Sequence, residues 1–525
     1  MAEQKLSKSA SLLIDVFEDT HESHDEEKTI TVNPVVSEVA SWYERLRNVM
    51  DYRADEVILR AAIERILKRR ILILGGSGEK TAEPLVRELI WARYFPDSTI
   101  PEAIIKQVAS SIDLHLRLRD DILRIHSLSE RTVDEWIYNL MSSDIEQILN
   151  PNSEEDTVRN FMFQKLLESV VIEDDSQETR DAQVFIAICK SFAKDDTAFL
   201  QSHLFRQFFG ELTEKNVASV AVGFVSYYDE VRRQLTHPLK DRIYTYKKNQ
   251  TPPFFILKDI LHAYRSNVRK LAAAPRDLTH AVFEACERRY SGVGSKVRRA
   301  IVRSVLFILL TKALFALTIE GAYETLIYGG VSWPSMALNI SIPPLLMVLV
   351  GLFIRTPNRD NSERILARIE SVLFDEKAKL LVPLTLTVAP GKAKPFLTTI
   401  FTILWILAFI LSFGAVYYFL TFLNFNIVNK GIFIFFLTIV SFLAYRISQM
   451  AGEYHFETKE GLMGPIVDFL FMPIIRVGRQ LTEGIAQLNL LLFILDFIIE
   501  TPFKGMFAFF EQWFLFLHTK REELG

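Results

Sequence analysis

Cysteine is nearly absent from this chain of 525 residues. Cys189 and Cys286 stand alone in helical stretches, so neither a disulfide framework nor a Cys-rich zinc site is indicated. An excess of charge of either sign is missing too. A net charge of −4 and a pI near 6.3 give no support for nucleic-acid binding through a general basic surface. Alternating strand patterns hardly occur. From Met1 to Thr20 no basic stretch leads into an apolar core, so a cleavable signal peptide is not expected. Gly-x-Ser-x-Gly and His-Glu-x-x-His are both missing. The expectation is a chain without enzymatic activity, cofactor or bound metal.

What is present is apolar length. Mean hydropathy is +0.16, the excess lies mostly beyond Ala300, and more than half of the 40 Phe fall between Phe396 and Phe516. Residues 396–422 carry no charge, and 427–447 carry only Lys430 and Arg446. About 20 apolar residues cross a hydrocarbon core, so the two runs predict an antiparallel hairpin through a bilayer. Residues 301–319 form an earlier run behind the basic boundary Lys296, Arg298, Arg299 and Arg303. Residues 336–354 form another, interrupted by Pro343-Pro344 and read as a kinked span. The segment 320–338 has no Lys or Arg, the 423–430 turn has Lys430 alone, and 355–395 has eight. Positive charge marks the cytoplasmic side, which predicts four spans in the cell membrane with both termini cytoplasmic. Arg298, Arg299, Arg303, Arg355, Arg446 and Trp513 are the candidate interface anchors.

The remaining segments predict helices of other kinds. Residues 1–34 include an acidic run and read as a disordered tail. Residues 35–295 read as a helical cytoplasmic region, with a division into two lobes near 173–181. Stripes such as Val57, Ala61, Ile63, Ile66 and Leu67 carry that reading. Within the 355–395 loop, an amphipathic helix turns Ile365, Ile369, Val372 and Leu373 inward and offers Arg and Lys to anionic headgroups. Residues 448–525, broken by Gly464-Pro465, Pro473 and Thr501-Pro502, read as amphipathic, membrane-associated helices suited to the interface plane or a bundle groove and packed under the four spans on the cytoplasmic side. The fold class is therefore all-α: a helical cytoplasmic region, a four-helix transmembrane region at 296–354 and 396–447, and amphipathic C-terminal helices.

Three constellations invite a chemical reading. Residues 71–81 (ILILGGSGEKT) resemble a strand and phosphate loop, but Glu79 separates Gly78 from Lys80 and would repel phosphates. Gly75-Gly76 ending one helix and Ser77 starting the next is the better account. Asp277, His280 and Glu284 share a helix face, more simply a solvated one than a metal site. Lys312 interrupts an apolar run at mid-membrane depth, which makes it a functional candidate by default. Glu320 lies about 12 Å along an α-helix from it, too far for a direct pair. Its partner is expected from another helix, with Asp496 or Glu500 as candidates. Lys312, Glu320, Glu324 and Asp496 thus form the candidate intramembrane polar site, and a structural interhelix pair is preferred over an ion pathway.

The segments GGSGEKTAEPLVRELIWARY (75–94), LTKALFALTIEGAYE (310–324) and LLLFILDFIIETPFK (490–504) together resemble a family of multi-pass membrane proteins from candidate-phyla bacteria with small genomes. The resemblance covers most of the chain after the tail and implies a bacterial cytoplasmic membrane, with no activity or catalytic residues attached. Two function classes follow. One is a membrane-anchored scaffold that binds a protein partner through its cytoplasmic helices. The other is a transporter or channel component using Lys312 and the Pro343-Pro344 break, with a pore formed in a homo-oligomer. The partners expected are the lipid bilayer and protein, not nucleic acid.

Overall fold

The computed structural model describes residues 6–18, 29–32, 57–73, 76–151, 153–354, 356–376, 383–388, 395–456 and 463–486, with single positions elsewhere. Among them the fold is all-α. The described strands are Val170–Ile172 and Leu384–Leu386, paired in parallel with Val170 opposite Leu384. The chain divides into two compact units. A first unit is built chiefly from Ser7–Thr251 with Glu376–Val388, and an apolar bundle from Pro252–Asp375 with Ala389–Asn489.

In the first unit, helix Ala103–Ile125 buries Val108, Ile112, His115, Leu118 and Ile122 at spacings of three and four. It packs against Gly78–Trp91, Glu130–Leu149 and Val217–Leu235, which join it in one continuous core. Helix starts are fixed by side-chain oxygens. Ser129 Oγ accepts from Thr132 N at 3.2 Å, Ser176 Oγ from Thr179 N at 3.1 Å, and Asp196 Oδ1 from Phe199 N at 3.1 Å. Each such cap contributes about 1 kcal/mol. Edge-on rings fill the centre, with Trp136 and Tyr227 5.6 Å apart at 89°.

One expectation for this unit fails. Residues Lys8–Glu18, assigned to a disordered tail, form a helix that buries Ala10, Leu13, Ile14 and Phe17. Those four positions repeat at three, four and seven residues, a complete apolar stripe that the neighbouring acidic run obscured. The stripe packs on helix Ser153–Leu166.

The bundle is organised around the helix Pro275–Phe315, 41 residues long. At 1.5 Å per residue it spans about 60 Å, so the polar stretch near Asp277 and the apolar run after Ala300 are one rod. It packs against Trp333–Phe353 and Ile427–Ala451. Trp333–Phe353 stays helical through Pro343 and Pro344, both buried. Pro395–Phe422 and Ile427–Ala451 are joined by the expected short turn, with Asn424 at φ +58°. Among the described residues, four helices are long and apolar enough to cross a membrane: Pro275–Ile327, Trp333–Phe353, Thr399–Phe422 and Ile427–Ala451.

In the tail, the break expected at Pro473 is absent: Met463–Ala486 is one helix through it, and it packs against both Pro395–Phe422 and Ile427–Ala451. Close approach depends on Gly478, where an added Cβ would collide with the Thr438 carbonyl. The amphipathic helix expected over 362–379 runs over Arg359–Phe374, starting three residues earlier and ending before 379, with Ile365, Ile369, Val372 and Leu373 buried.

Candidate functional site

The apolar bundle encloses a chain of polar side chains. Lys312 and Glu320 are both fully buried, and Lys312 Nζ donates to Glu320 Oε1 at 2.6 Å. Glu320 Oε2 accepts from Asn339 Nδ2 at 2.7 Å, and the Lys312 ammonium lies 5.2 Å from the Phe436 ring centre. This corrects the expectation that Glu320 is out of reach and that Lys312 must pair with another helix. The cause is a π turn over Ala316–Glu320. Eight residues at about 100° each leave positions 312 and 320 roughly 80° apart on an α-helix. A π turn absorbs one extra residue, about 100°, which returns the two to within roughly 20° of one line. Two extended side chains then close the remaining rise. Asp496, its expected companion, and Glu500 lie outside the described residues, as does Arg355.

Glu324, one α turn further on, makes a different set of bonds. Its Oε2 accepts from the Ser332 backbone N at 2.8 Å, while Oε1 accepts from Asn426 Nδ2 at 3.0 Å and Asn429 Nδ2 at 2.9 Å. Ser332 precedes the first turn of Trp333–Phe353, and Asn426 caps Ile427–Ala451 by accepting from Asn429 N at 2.8 Å. That cap fixes the Asn426 amide so that its NH₂ faces Glu324. One carboxylate therefore joins two helix N-termini, whose partial positive charge suits an anion. A cleft of about 440 Å³ opens beside it, lined by Ser332, Ser335, Thr421, Asn424, Asn426 and Asn429. The Asn339 and Asn429 Oδ1 atoms are buried and accept no hydrogen bond among the described residues.

The other candidates are placed as follows. Arg298, Arg299 and Arg303 are exposed where the long helix becomes apolar, Arg446 is exposed near the end of Ile427–Ala451, and Trp513 is exposed and stacked on Phe509. Asp277, His280 and Glu284 lie on an exposed stripe, with His280 Nδ1 4.0 Å from Glu284 Oε2. At the GGSGEKT segment, Gly76 and Ser77 separate two helices, while Gly75 lies outside the described residues. Gly78 N donates to Asp113 Oδ1 at 2.8 Å. A carboxylate holds the place a phosphate would need, and a Cβ at Gly78 would collide with Ala109 O and Asp113.

Sequence reasoning missed the amides. Asn339, Asn426 and Asn429 carry the network, and their signal was present: uncharged polar residues inside or at the start of apolar runs. The chain matches no protein-family model, no curated protein and no solved structure.

Proposed function

We propose that the chain is a multi-pass integral protein of a bacterial cytoplasmic membrane, with the bundle as anchor and the first unit as a cytoplasmic surface for a protein partner. The observation that carries this is where the bundle keeps its polarity. Leu326, Leu352 and Phe422 are 83, 77 and 77 % exposed on its outside, while Lys312, Glu320, Glu324, Asn339 and Asn429 are inside. That is the distribution a hydrocarbon solvent favours. The scale agrees, since the 21 steps from Arg303 to Glu324 rise about 31 Å, close to the thickness of a hydrocarbon core. Inside, the charges are consumed: Glu320 by Lys312 and Asn339, Glu324 by two helix starts. Hydrogen-bonded on every carboxylate oxygen, Glu320 and Glu324 tie helices together, and neither is free to shuttle an ion. This favours the anchor over the transporter. Basic residues at the Arg303 end support the cytoplasmic assignment of both termini and of the first unit.

Transport is the second reading, supported by the cleft beside Glu324 and the unpaired Asn429 Oδ1 that lines it. Cross-linking in cells, followed by affinity purification of the tagged full chain in mild detergent, separates the two. A stoichiometric partner whose cross-links map within residues 57–251 is the expected result. Self-cross-links alone, with ion flux in proteoliposomes that Glu324→Gln abolishes, would overturn it.

A further inference from the structure

One polar cluster in the first unit takes no part in anchoring. Helix Gln177–Ile188 runs into a π turn, Cys189–Ala193, and the chain reverses at Lys194 with φ +56°. Asp195 N then donates to Cys189 O at 3.2 Å, which folds Asp195 back over the cysteine. His203 arrives from the next helix, Thr197–Phe209. The Cys189 Sγ, an Asp195 carboxylate oxygen and a His203 ring nitrogen all lie within 4.8 Å of one another. Cys189 is fully buried behind the other two. Asp195 and His203 open onto a cleft of about 340 Å³ whose walls include Glu146, Asp156 and Arg159.

Two further observations point to a cation. Glu146 is only 9 % exposed, lines the same cleft, and its Oε2 accepts no hydrogen bond among the described residues. Arg159 also stands where a shared cation would: its Nη1 is 3.1 Å from His203 Nε2 and 3.7 Å from Asp195 Oδ2. His203 Nε2 sits between Arg159 Nη1 and Asp195 Oδ2, the latter 3.2 Å away, so this nitrogen faces the shared position whichever tautomer the ring takes. Arg159 has a second anchor in Asp156, 2.7 Å from Nη2.

We propose that Cys189, Asp195 and His203 bind a divalent transition metal of the zinc type, and that Arg159 holds the position in the metal-free protein. The donor set is one sulfur, one imidazole and one carboxylate, which suits zinc and disfavours the hard, oxygen-seeking calcium and magnesium. Tetrahedral zinc holds its ligands about 3.3–3.8 Å apart, so closing the trio takes roughly 1 Å. The fourth position faces the cleft, where a water completes the tetrahedron. On binding, the Cys189 thiol proton leaves to solvent, a metal–sulfur bond forms, and Arg159 withdraws to Asp156. Nothing is oxidised or reduced.

Cobalt(II) titration of the detergent-purified full chain is the test, read by the thiolate-to-cobalt absorption band. The expected result is a band saturating at one cobalt per chain, lost in Cys189→Ser and retained in Cys286→Ser. Arg159→Gln should tighten binding by roughly tenfold, the effect of about 1.4 kcal/mol of relieved repulsion. Circular dichroism reports whether each variant keeps its helices. No band in either the wild type or Arg159→Gln would overturn the proposal. So would a band that survives Cys189→Ser, or affinity unchanged in folded Arg159→Gln.

Discussion

The two units bury charge in opposite surroundings. In the first unit, Arg60 is buried beneath a polar exterior and has several partners: Asp196 Oδ2 at 2.6 Å, Glu64 Oε2 at 2.7 Å and Ser142 Oγ at 3.1 Å. Asp196 also caps a helix, so the same carboxylate serves secondary and tertiary structure. In the bundle the exterior is apolar, and Lys312 has one carboxylate with a single amide behind it. A charge near water can exchange a lost partner for solvent. A charge inside an apolar bundle cannot, and its pairing must be complete within the fold.

Breaking the bundle pair is the strongest test of that contrast. Glu320→Leu leaves the Lys312 ammonium uncompensated and should destabilise the bundle by about 3–5 kcal/mol. Combining it with Lys312→Met should restore most of the loss. The midpoint of heat-induced aggregation in detergent reads both, and a harmless single substitution would remove the case for an isolated pair.

The outward faces offer a second test. Leu310 in the bundle and Val222 in the first unit are similarly exposed, at 68 and 63 %. Leu310→Arg should cost about 2.5–3.5 kcal/mol in membrane integration, whereas Val222→Arg should change stability by no more than about 0.5 kcal/mol. Equally small effects would mean that both faces meet water.

The smallest effect concerns His115, buried in the first unit with Nδ1 donating to Ser111 O at 2.8 Å. Burial holds its imidazole below the usual range, outweighing the upward pull of Asp144. The unfolded chain therefore binds the proton first. The stability supplied by neutral His115 is complete above about pH 6.5 and falls as pH drops through the depressed folded value, by at most about 1.4 kcal/mol per unit. Melting between about pH 7.5 and 5.5 should show a steeper loss in the wild type than in His115→Gln. Parallel slopes would exclude His115 as a source of acid sensitivity.

The amino-acid sequence by itself determined the four apolar helices, the turn before Asn426 and the buried face of Arg359–Phe374. Those features come from nearest-neighbour spacing and apolar length, which are local and additive. The helix Lys8–Glu18 carries the same local signal, a stripe complete within the segment, but the neighbouring acidic run hid it. Tertiary structure alone decided the polar pairings. Lys312 meets Glu320 because one extra residue in a π turn rotates the helix, a change invisible to a fixed 100° step. Glu324 meets Asn426 across 102 positions, and Cys189 meets His203 around a left-handed reversal at Lys194. Hydrogen bonds and ion pairs depend on angstrom-level register, whereas apolar burial depends mainly on which face a residue occupies. That difference in tolerance is why the helices could be read from the chain and the polar site could not.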